Sequence, residues 1–229
     1  MAKRLKTIIV GGPPGSGKST VVSRMHSDRV KKISTGDILR DEIKSGTSAG
    51  KRLKSYMDRG ELAPSDLVRT LISRSIDEKI DGKINMFVFD GYPRDLEEVG
   101  QFLEIADRRG LTLDAVIILS LSEEKIVSRV LNRRICPNCG AIYNIGKNPP
   151  SFEDARLQKR KDDDEETLKK QLKEFRENTL PAIKYFREEY GDIILEQDAG
   201  LPVNRIMYEI FTGLDRRGIM LFDGGKDER

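Results

Sequence analysis

Short, unbroken apolar runs recur along this chain, and charged, helix-compatible stretches separate them. The runs are Thr7–Val10, Val30–Ile33, Met86–Phe89, Ala115–Leu119 and Ile193–Leu195. Runs of this length without polar alternation suit strands buried on both faces. Strands that alternate with helices imply parallel crossovers and a doubly wound arrangement. The pattern therefore predicts an α/β fold around a five-stranded parallel sheet. In such sheets ligands bind outside the carboxyl ends of the strands.

Two stretches break the alternation. Asp37 to about Ile80 reads as helix-rich, with a turn at Asp58-Arg59-Gly60 and a helix start at Pro64-Ser65-Asp66. Arg134 to about Gln158 reads as a small excursion of strands and turns. It holds Cys136-Pro137-Asn138-Cys139-Gly140, a short Ile142-Tyr143 segment and Asn148-Pro149-Pro150. Lys159–Arg187 is highly charged and reads as one long helix ending near Tyr190-Gly191. The tail Gly218–Arg229, with Gly224-Gly225, is expected to fray. No internal repeat is evident.

Composition narrows the classes. A length of 229 residues suits one α/β domain with an insertion, or two small domains. The 41 basic and 38 acidic residues nearly balance, so there is no general footprint for nucleic acid. No apolar stretch approaches about 18 residues, so no membrane span is expected. Met1 to Lys6 run straight into the first strand, leaving no room for a signal peptide. Two cysteines imply no disulfide framework. These features predict a soluble cytoplasmic protein without nucleic-acid or membrane partners.

The strongest chemical signal follows the first strand. Gly12-Pro13-Pro14-Gly15-Ser16-Gly17-Lys18-Ser19, with Thr20 after it, fits the P-loop pattern G-x-x-x-x-G-K-[ST]. A strand that turns through glycines into a helix aims main-chain N–H groups at one point, where the helix N-terminus adds partial positive charge. Polyphosphate is the natural occupant. Lys18 would reach the β- and γ-phosphates, and the Ser19 hydroxyl could face Mg²⁺. The third strand ends in Asp90, a position that in P-loop enzymes lies near Mg²⁺ directly or through water. Gly91-Tyr92-Pro93-Arg94 follows at once, and Arg94 is placed for a bidentate phosphate contact. The single histidine, His26, falls in the helix after the P-loop and is read as structural or exposed.

Asp90-Gly91-Tyr92-Pro93-Arg94 resembles the D-G-[FY]-P-R signature of the adenylate kinase family. Ile33-Ser34-Thr35-Gly36-Asp37-Ile38-Leu39-Arg40 resembles that family's monophosphate-site motif. Arg133-Arg134-Ile135-Cys136 is similar to the beginning of its lid, and Arg160-Lys161-Asp162-Asp163 to the lid's end. The resemblance spans about residues 5 to 213. It implies a P-loop core (1–34, 65–133 and 161–217), a helical monophosphate-binding insertion (35–64), a small lid (134–160) and a flexible tail (218–229). It implies transfer of the ATP γ-phosphoryl group to a nucleoside monophosphate, with Mg²⁺ accompanying ATP, by a monomeric enzyme.

The same resemblance implies residue roles. Residues Pro14, Gly15, Ser16, Gly17, Lys18, Ser19 and Thr20, with Arg129, Arg133 and Leu201, would hold ATP. Thr35, Arg40, Gly91 and Arg94 would hold the acceptor, with Arg40 and Arg94 on its phosphate. Glu61, Leu62 and Ala63 would offer main-chain groups to its base, and Glu98 and Gln171 would complete that site. Arg160 would bridge both substrates. Lys18, Arg94, Arg129, Arg133 and Arg160 would carry catalysis, and Ser19 and Asp90 would face the metal. Independently of family, two nucleotides bring several negative charges together, and a crown of Lys18, Arg40, Arg94, Arg129, Arg133 and Arg160 would offset their repulsion. Phosphoryl transfer asks mainly for positioning and charge neutralisation.

Three positions depart from the family pattern. Glu98, four residues beyond Arg94, replaces the usual glutamine. An amide donates to adenine N1 and accepts from its amine, whereas a carboxylate only accepts. Guanine offers two donors on that edge, so GMP competes with AMP as the acceptor. Gln101, one turn on, is an alternative reader of the base. Gln171 replaces an arginine eleven residues after Arg160. Cys136 and Cys139 resemble half of a structural zinc site, but no second pair follows, and Glu153 and Asp154 are weak ligands. Structural zinc is therefore not expected. Other classes are a P-loop switch, against which the absence of N-K-x-D counts, an assembly ATPase and an inactive nucleotide-binding adaptor.

Overall fold

The five apolar runs become five strands of one sheet. The computed structural model describes residues 4–25, 27–138, 141–145, 156–160 and 162–221. The chain runs through β1 (Leu5–Gly11), α1 (Lys18–Ser23) and β2 (Val30–Ser34) into the helices α2 (Thr35–Lys44), α3 (Ser48–Arg59) and α4 (Ser65–Lys79). It continues through β3 (Met86–Asp90), α5 (Leu96–Arg109), β4 (Leu111–Ser120) and α6 (Glu123–Leu131). A short antiparallel pair follows, β5 (Arg133–Ile135) and β6 (Ile142–Asn144). Then come α7 (Glu165–Glu174), a π-helical turn at Phe175–Thr179, α8 (Leu180–Glu189), β7 (Ile194–Asp198) and α9 (Val203–Asp215).

The sheet has the order β2-β3-β1-β4-β7 and is parallel throughout. Successive strands leave β1 on one side and return on the other, so the order reverses at β1. That reversal opens a crevice at the carboxyl ends of the strands. Register decides what meets there. Val10 lies beside Asp90 and Ile117, and Asp90 lies beside Ser34. The segments after β1, β2 and β3 therefore emerge side by side.

Side chains alternate between two cores. Ile8, Val10, Val88 and Ile117 pack under α1 and α9 with Val21, Val22, Ile206 and Ile210. Ile9, Phe87, Phe89 and Val116 pack on the other face with Ile72 and Ile76 of α4, Phe102 and Ile105 of α5, and Ile183 and Phe186 of α8. Full burial of side chains like Phe87 and Phe89 contributes about 1.5–3 kcal/mol each. Two smaller clusters hold the outlying helices. Ile126 and Val130 of α6 meet Leu168 and Leu172 of α7. Leu39, Leu53 and Leu71 join α2, α3 and α4, flanked by the partly buried Ile38 and Ala63.

Two elements differ from the sequence-based expectation. The fourth strand begins at Leu111, before the apolar run, and includes the polar Thr112 and Asp114. The register shifts at Thr7/Ile8, and the Asp114 carboxylate accepts the Thr7 N–H at 3.0 Å and the Thr112 hydroxyl at 2.7 Å. A side chain thus serves a main-chain donor at the irregularity, and no apolar run reports it. The expected long helix begins at Glu165, not Lys159. Asp164 caps it, accepting the Thr167 N–H at 2.9 Å. Before it, Gln158 exchanges main-chain bonds with Ile135 at 2.9 and 2.8 Å, extending the small sheet. Charge alone did not distinguish helix from edge strand. The widened turn at Phe175–Thr179 precedes Pro181, which has no N–H to continue the ladder.

Among the described residues, no helix is long and apolar enough to cross a membrane. His26, Cys139, Gly140, Asn148-Pro149-Pro150, Glu153, Asp154, Lys161 and residues 222–229 of the expected fraying tail lie outside the described residues.

Candidate active site

The loop after β1 can be built only from small residues. Gly12, Gly15 and Gly17 have φ of 142°, 72° and 96°. A Cβ at Gly12 would stand 2.6 Å from the Leu119 carbonyl oxygen, and one at Gly15 would stand 2.7 Å from the Val130 side chain. Both backbone conformation and close approach therefore require glycine at these two positions. The loop ends at Lys18, the first residue of α1, whose ammonium donates to the Gly12 and Pro13 carbonyls at 2.8 Å each. Burial pushes Lys18 down to about 8. Asp90 opposes that shift, while Arg94 and Arg133 add to it.

Asp90 closes the floor of the crevice. It is 4% exposed, accepts the Ser19 hydroxyl at 2.7 Å and has the Ser34 hydroxyl at 3.5 Å. One residue on, the Gly91 carbonyl accepts Arg94 Nε at 2.7 Å and the Thr35 hydroxyl at 3.0 Å. This bond ties the segment after β2 to the segment after β3. Arg40 donates to Asp37 at 2.6 Å, and Lys32 donates to the same carboxylate at 2.8 Å. Burial pushes the Asp37 carboxyl up, but those two hydrogen bonds outweigh it and hold it well below the usual range.

Helix α6, the small sheet and the segment before α7 bring in the remaining cations. Arg129 donates to the Ala199 carbonyl at 2.6 Å and lies 3.5 Å from the Ser16 carbonyl. Arg133 makes a bidentate pair with the fully buried Asp163, through Nε at 2.8 Å and through Nη2. Arg160 is different. Its Nε is buried with no hydrogen-bond partner. Burial pushes this guanidinium down to about 10, and Arg133 and Arg40 repel it further. The Ser16 hydroxyl is likewise buried without a partner. Unsatisfied donors amid converging cations define a receptor for a polyanion.

The sequence-predicted residues divide cleanly. Residues 14–20, Arg40, residues 61–63, Asp90, Gly91, Arg94, Arg129, Arg133, Arg160, Gln171 and Leu201 all line one cleft. Thr35, 1% exposed, lies behind that lining, with its hydroxyl on Gly91. Glu98, 3% exposed, also lies behind it, and its carboxylate accepts the Arg94 N–H at 2.7 Å. Burial pushes Glu98 up to about 7. The charge and N–H of Arg94 oppose this, and Asp95 and Glu97 add to it. Gln101 is buried too and donates to Glu97 at 3.1 Å. Sequence reasoning missed the cleft residues Met57, Tyr143, Phe175 and Val203. Apolar and aromatic side chains near helix ends, or on a three-residue strand as Tyr143 is, carry no motif. It also gave no role to Asp163, although a carboxylate three residues after Arg160 was a signal.

Among the described residues, no group of three or more His, Cys, Asp or Glu side chains could hold a metal ion. The zinc question turns on Cys139, Glu153 and Asp154, which are not among them.

A family model described as adenylate kinase matches residues 9–190. The adenylate kinase of Petrotoga mobilis is 36% identical over 209 residues, covering 88% of this chain and 94% of that protein. The adenylate kinase of Clostridioides difficile is 36% identical over 215 residues, covering 90% and 97%. The adenylate kinase of Archaeoglobus fulgidus is 34% identical over 216 residues, covering 91% and 98%.

Proposed function

This chain belongs to the adenylate kinase family and is a phosphotransferase, a nucleoside monophosphate kinase; from that premise we propose that ATP is its donor and AMP its acceptor, giving two ADP. The observation that carries this reading is one cleft lined by Lys18, Arg40, Arg94, Arg129, Arg133 and Arg160. In it the Arg160 Nε lacks a partner. A pair of nucleotides supplies the charge that such a cleft lacks.

An AMP phosphate oxygen attacks the γ-phosphorus, and the bond from that phosphorus to the ADP leaving oxygen breaks. The acceptor is already an anion, so no general base is required. Arg40 and Arg94 hold the acceptor phosphate. The P-loop N–H groups and Lys18 hold the β- and γ-phosphates, with Arg129 and Arg133 beside them. Arg160 spans donor and acceptor and follows the charge as it moves. Leu201 and the loop of Ser16 and Thr20 border the donor, while residues 61–63 and Gln171 border the acceptor, and Thr35 stands behind that lining on the Gly91 carbonyl. The hard oxygen donors Ser19 and Asp90 fit a Mg²⁺ ion that arrives with ATP, and its charge would offset that of the phosphates.

The test is to incubate ATP with AMP, GMP, CMP, UMP or dAMP and watch for the diphosphate. AMP is expected to be used best. Preference for GMP would reassign the acceptor, and no diphosphate with any of them would leave a nucleotide-binding adaptor. We also propose that segments 35–64 and 134–160 close over bound substrates, because water in the cleft would divert ATP to hydrolysis. An analogue joining two adenosines is expected to protect both segments from amide exchange. If neither responds, the closure reading is wrong.

A further inference from the structure

Glu98 is a buried acid that touches main chain. Helix α5 begins at Leu96 with Asp95 as its cap, and the Asp95 carboxylate accepts the Glu98 N–H at 2.7 Å. Glu98 in turn reaches back past the cap to accept the Arg94 N–H, also at 2.7 Å. Two orphan donors at the helix start are thus satisfied reciprocally, as in a capping box whose return bond reaches one residue further. The pair fixes the chain at Arg94 and Asp95.

The Arg94 side chain is held at its other end. Its Nε donates to the Gly91 carbonyl at 2.7 Å. Gly91 has φ of 72°, and a Cβ there would stand 3.3 Å from Arg94 Nη2. The guanidinium folds over a residue with no side chain and remains in the cleft lining. One hydrogen bond sets the Arg94 backbone and another sets its guanidinium. Glu98 itself is absent from the lining residues.

We propose that Glu98 is a positioning residue for the acceptor phosphate, placing the Arg94 guanidinium through the Arg94 N–H, and does not read the acceptor base. The inference rests on Arg94 as a ligand of the acceptor phosphate. It separates two roles that the sequence left merged. A base reader governs which monophosphate is used. A positioning residue governs how tightly every monophosphate is held.

Glu98→Gln and Glu98→Ala distinguish them. Glutamine keeps a carbonyl oxygen for the Arg94 N–H, so KM for AMP should stay within about threefold of wild type, and the AMP to GMP preference should not change. Alanine leaves that partly buried N–H without its carboxylate partner. KM for AMP should then rise roughly 5- to 150-fold, with KM for ATP unchanged and kcat falling less than KM rises. Inhibition by ribose 5-phosphate, which carries no base, should weaken by the same factor. The Arg94 amide should exchange slowly in wild type and Glu98→Gln and quickly in Glu98→Ala. An unchanged KM for AMP in Glu98→Ala overturns the inference. So does a shift of more than tenfold in the AMP to GMP preference of Glu98→Gln, which is the mark of base reading. If Glu98→Ala does not fold, Glu98→Gln alone still decides between the two roles by that preference. If the wild type phosphorylates no monophosphate, the acceptor reading has failed and this inference falls with it. That outcome is distinct from an active wild type with an indifferent Glu98→Ala.

Discussion

Lys18→Ala is expected to lower kcat/KM for phosphoryl transfer by roughly 10²- to 10³-fold and to leave the fold intact. Among the described residues the ammonium's hydrogen bonds go to loop carbonyls, Gly12 and Pro13, in the cleft, where water can replace it. On the proposed reading, what is lost is a charge that holds the transferring group, in a site where developing charge is met by fixed donors. The wild type offers a second reading of the same residue. With the cleft empty, burial holds Lys18 down at about 8. A bound polyphosphate favours the charged form. Below about pH 8 the ammonium is already protonated and ATP affinity should be flat. Above it each binding event must also bind a proton, so affinity should fall as pH rises. Lys18→Ala should lose that fall. Titration calorimetry at several pH values and steady-state kinetics check both parts, and a variant within tenfold of wild-type turnover would sink the role.

Arg160→Ala is expected to lower kcat by roughly 10³-fold, the scale at which an arginine stabilises a phosphoryl-transfer transition state. The empty protein should lose no stability, and its melting temperature should hold or rise. The two effects have one cause. Arg160 is buried with an unpartnered Nε, and Arg133 and Arg40 each repel it more strongly than Asp162 or Asp163 attracts it. On the proposed reading it is a cost in the unliganded protein and would find its partners when phosphates arrive. Arg160→Lys should not restore activity, because an ammonium cannot reproduce a planar fork across two phosphates. Thermal melting beside steady-state kinetics checks the pair of outcomes. A variant that is both unstable and active would show that Arg160 is structural.

The sheet was legible because its strands are buried on both faces. Ile8, Ile9 and Val10 serve one core or the other without a polar interruption. The P-loop and the arginines were legible because phosphate chemistry restricts which residues can serve. Illegible features depended on relations across the chain. Asp114 reads as a surface acid, and only the register shift beside Thr7 explains it. Glu98 was placed at the acceptor base by its spacing from Arg94, but its contact is with the main chain of Arg94 itself. Asp163 lay within a quoted motif without a role, and its bond to Arg133 crosses 30 positions of sequence.

The separate cluster of Leu39, Leu53 and Leu71 has a consequence for how this protein can change over generations. It joins α2 and α3 of the segment inserted after β2 to α4, and meets the main core through the partly buried Ile38 and Ala63. Substitutions among these leucines can reshape the acceptor side while the two cores on the sheet, and the phosphate loop they support, keep their packing. If the proposed assignment holds, the acceptor side can be retuned with little change to the donor half. The segment inserted after β2 carries part of its packing with it.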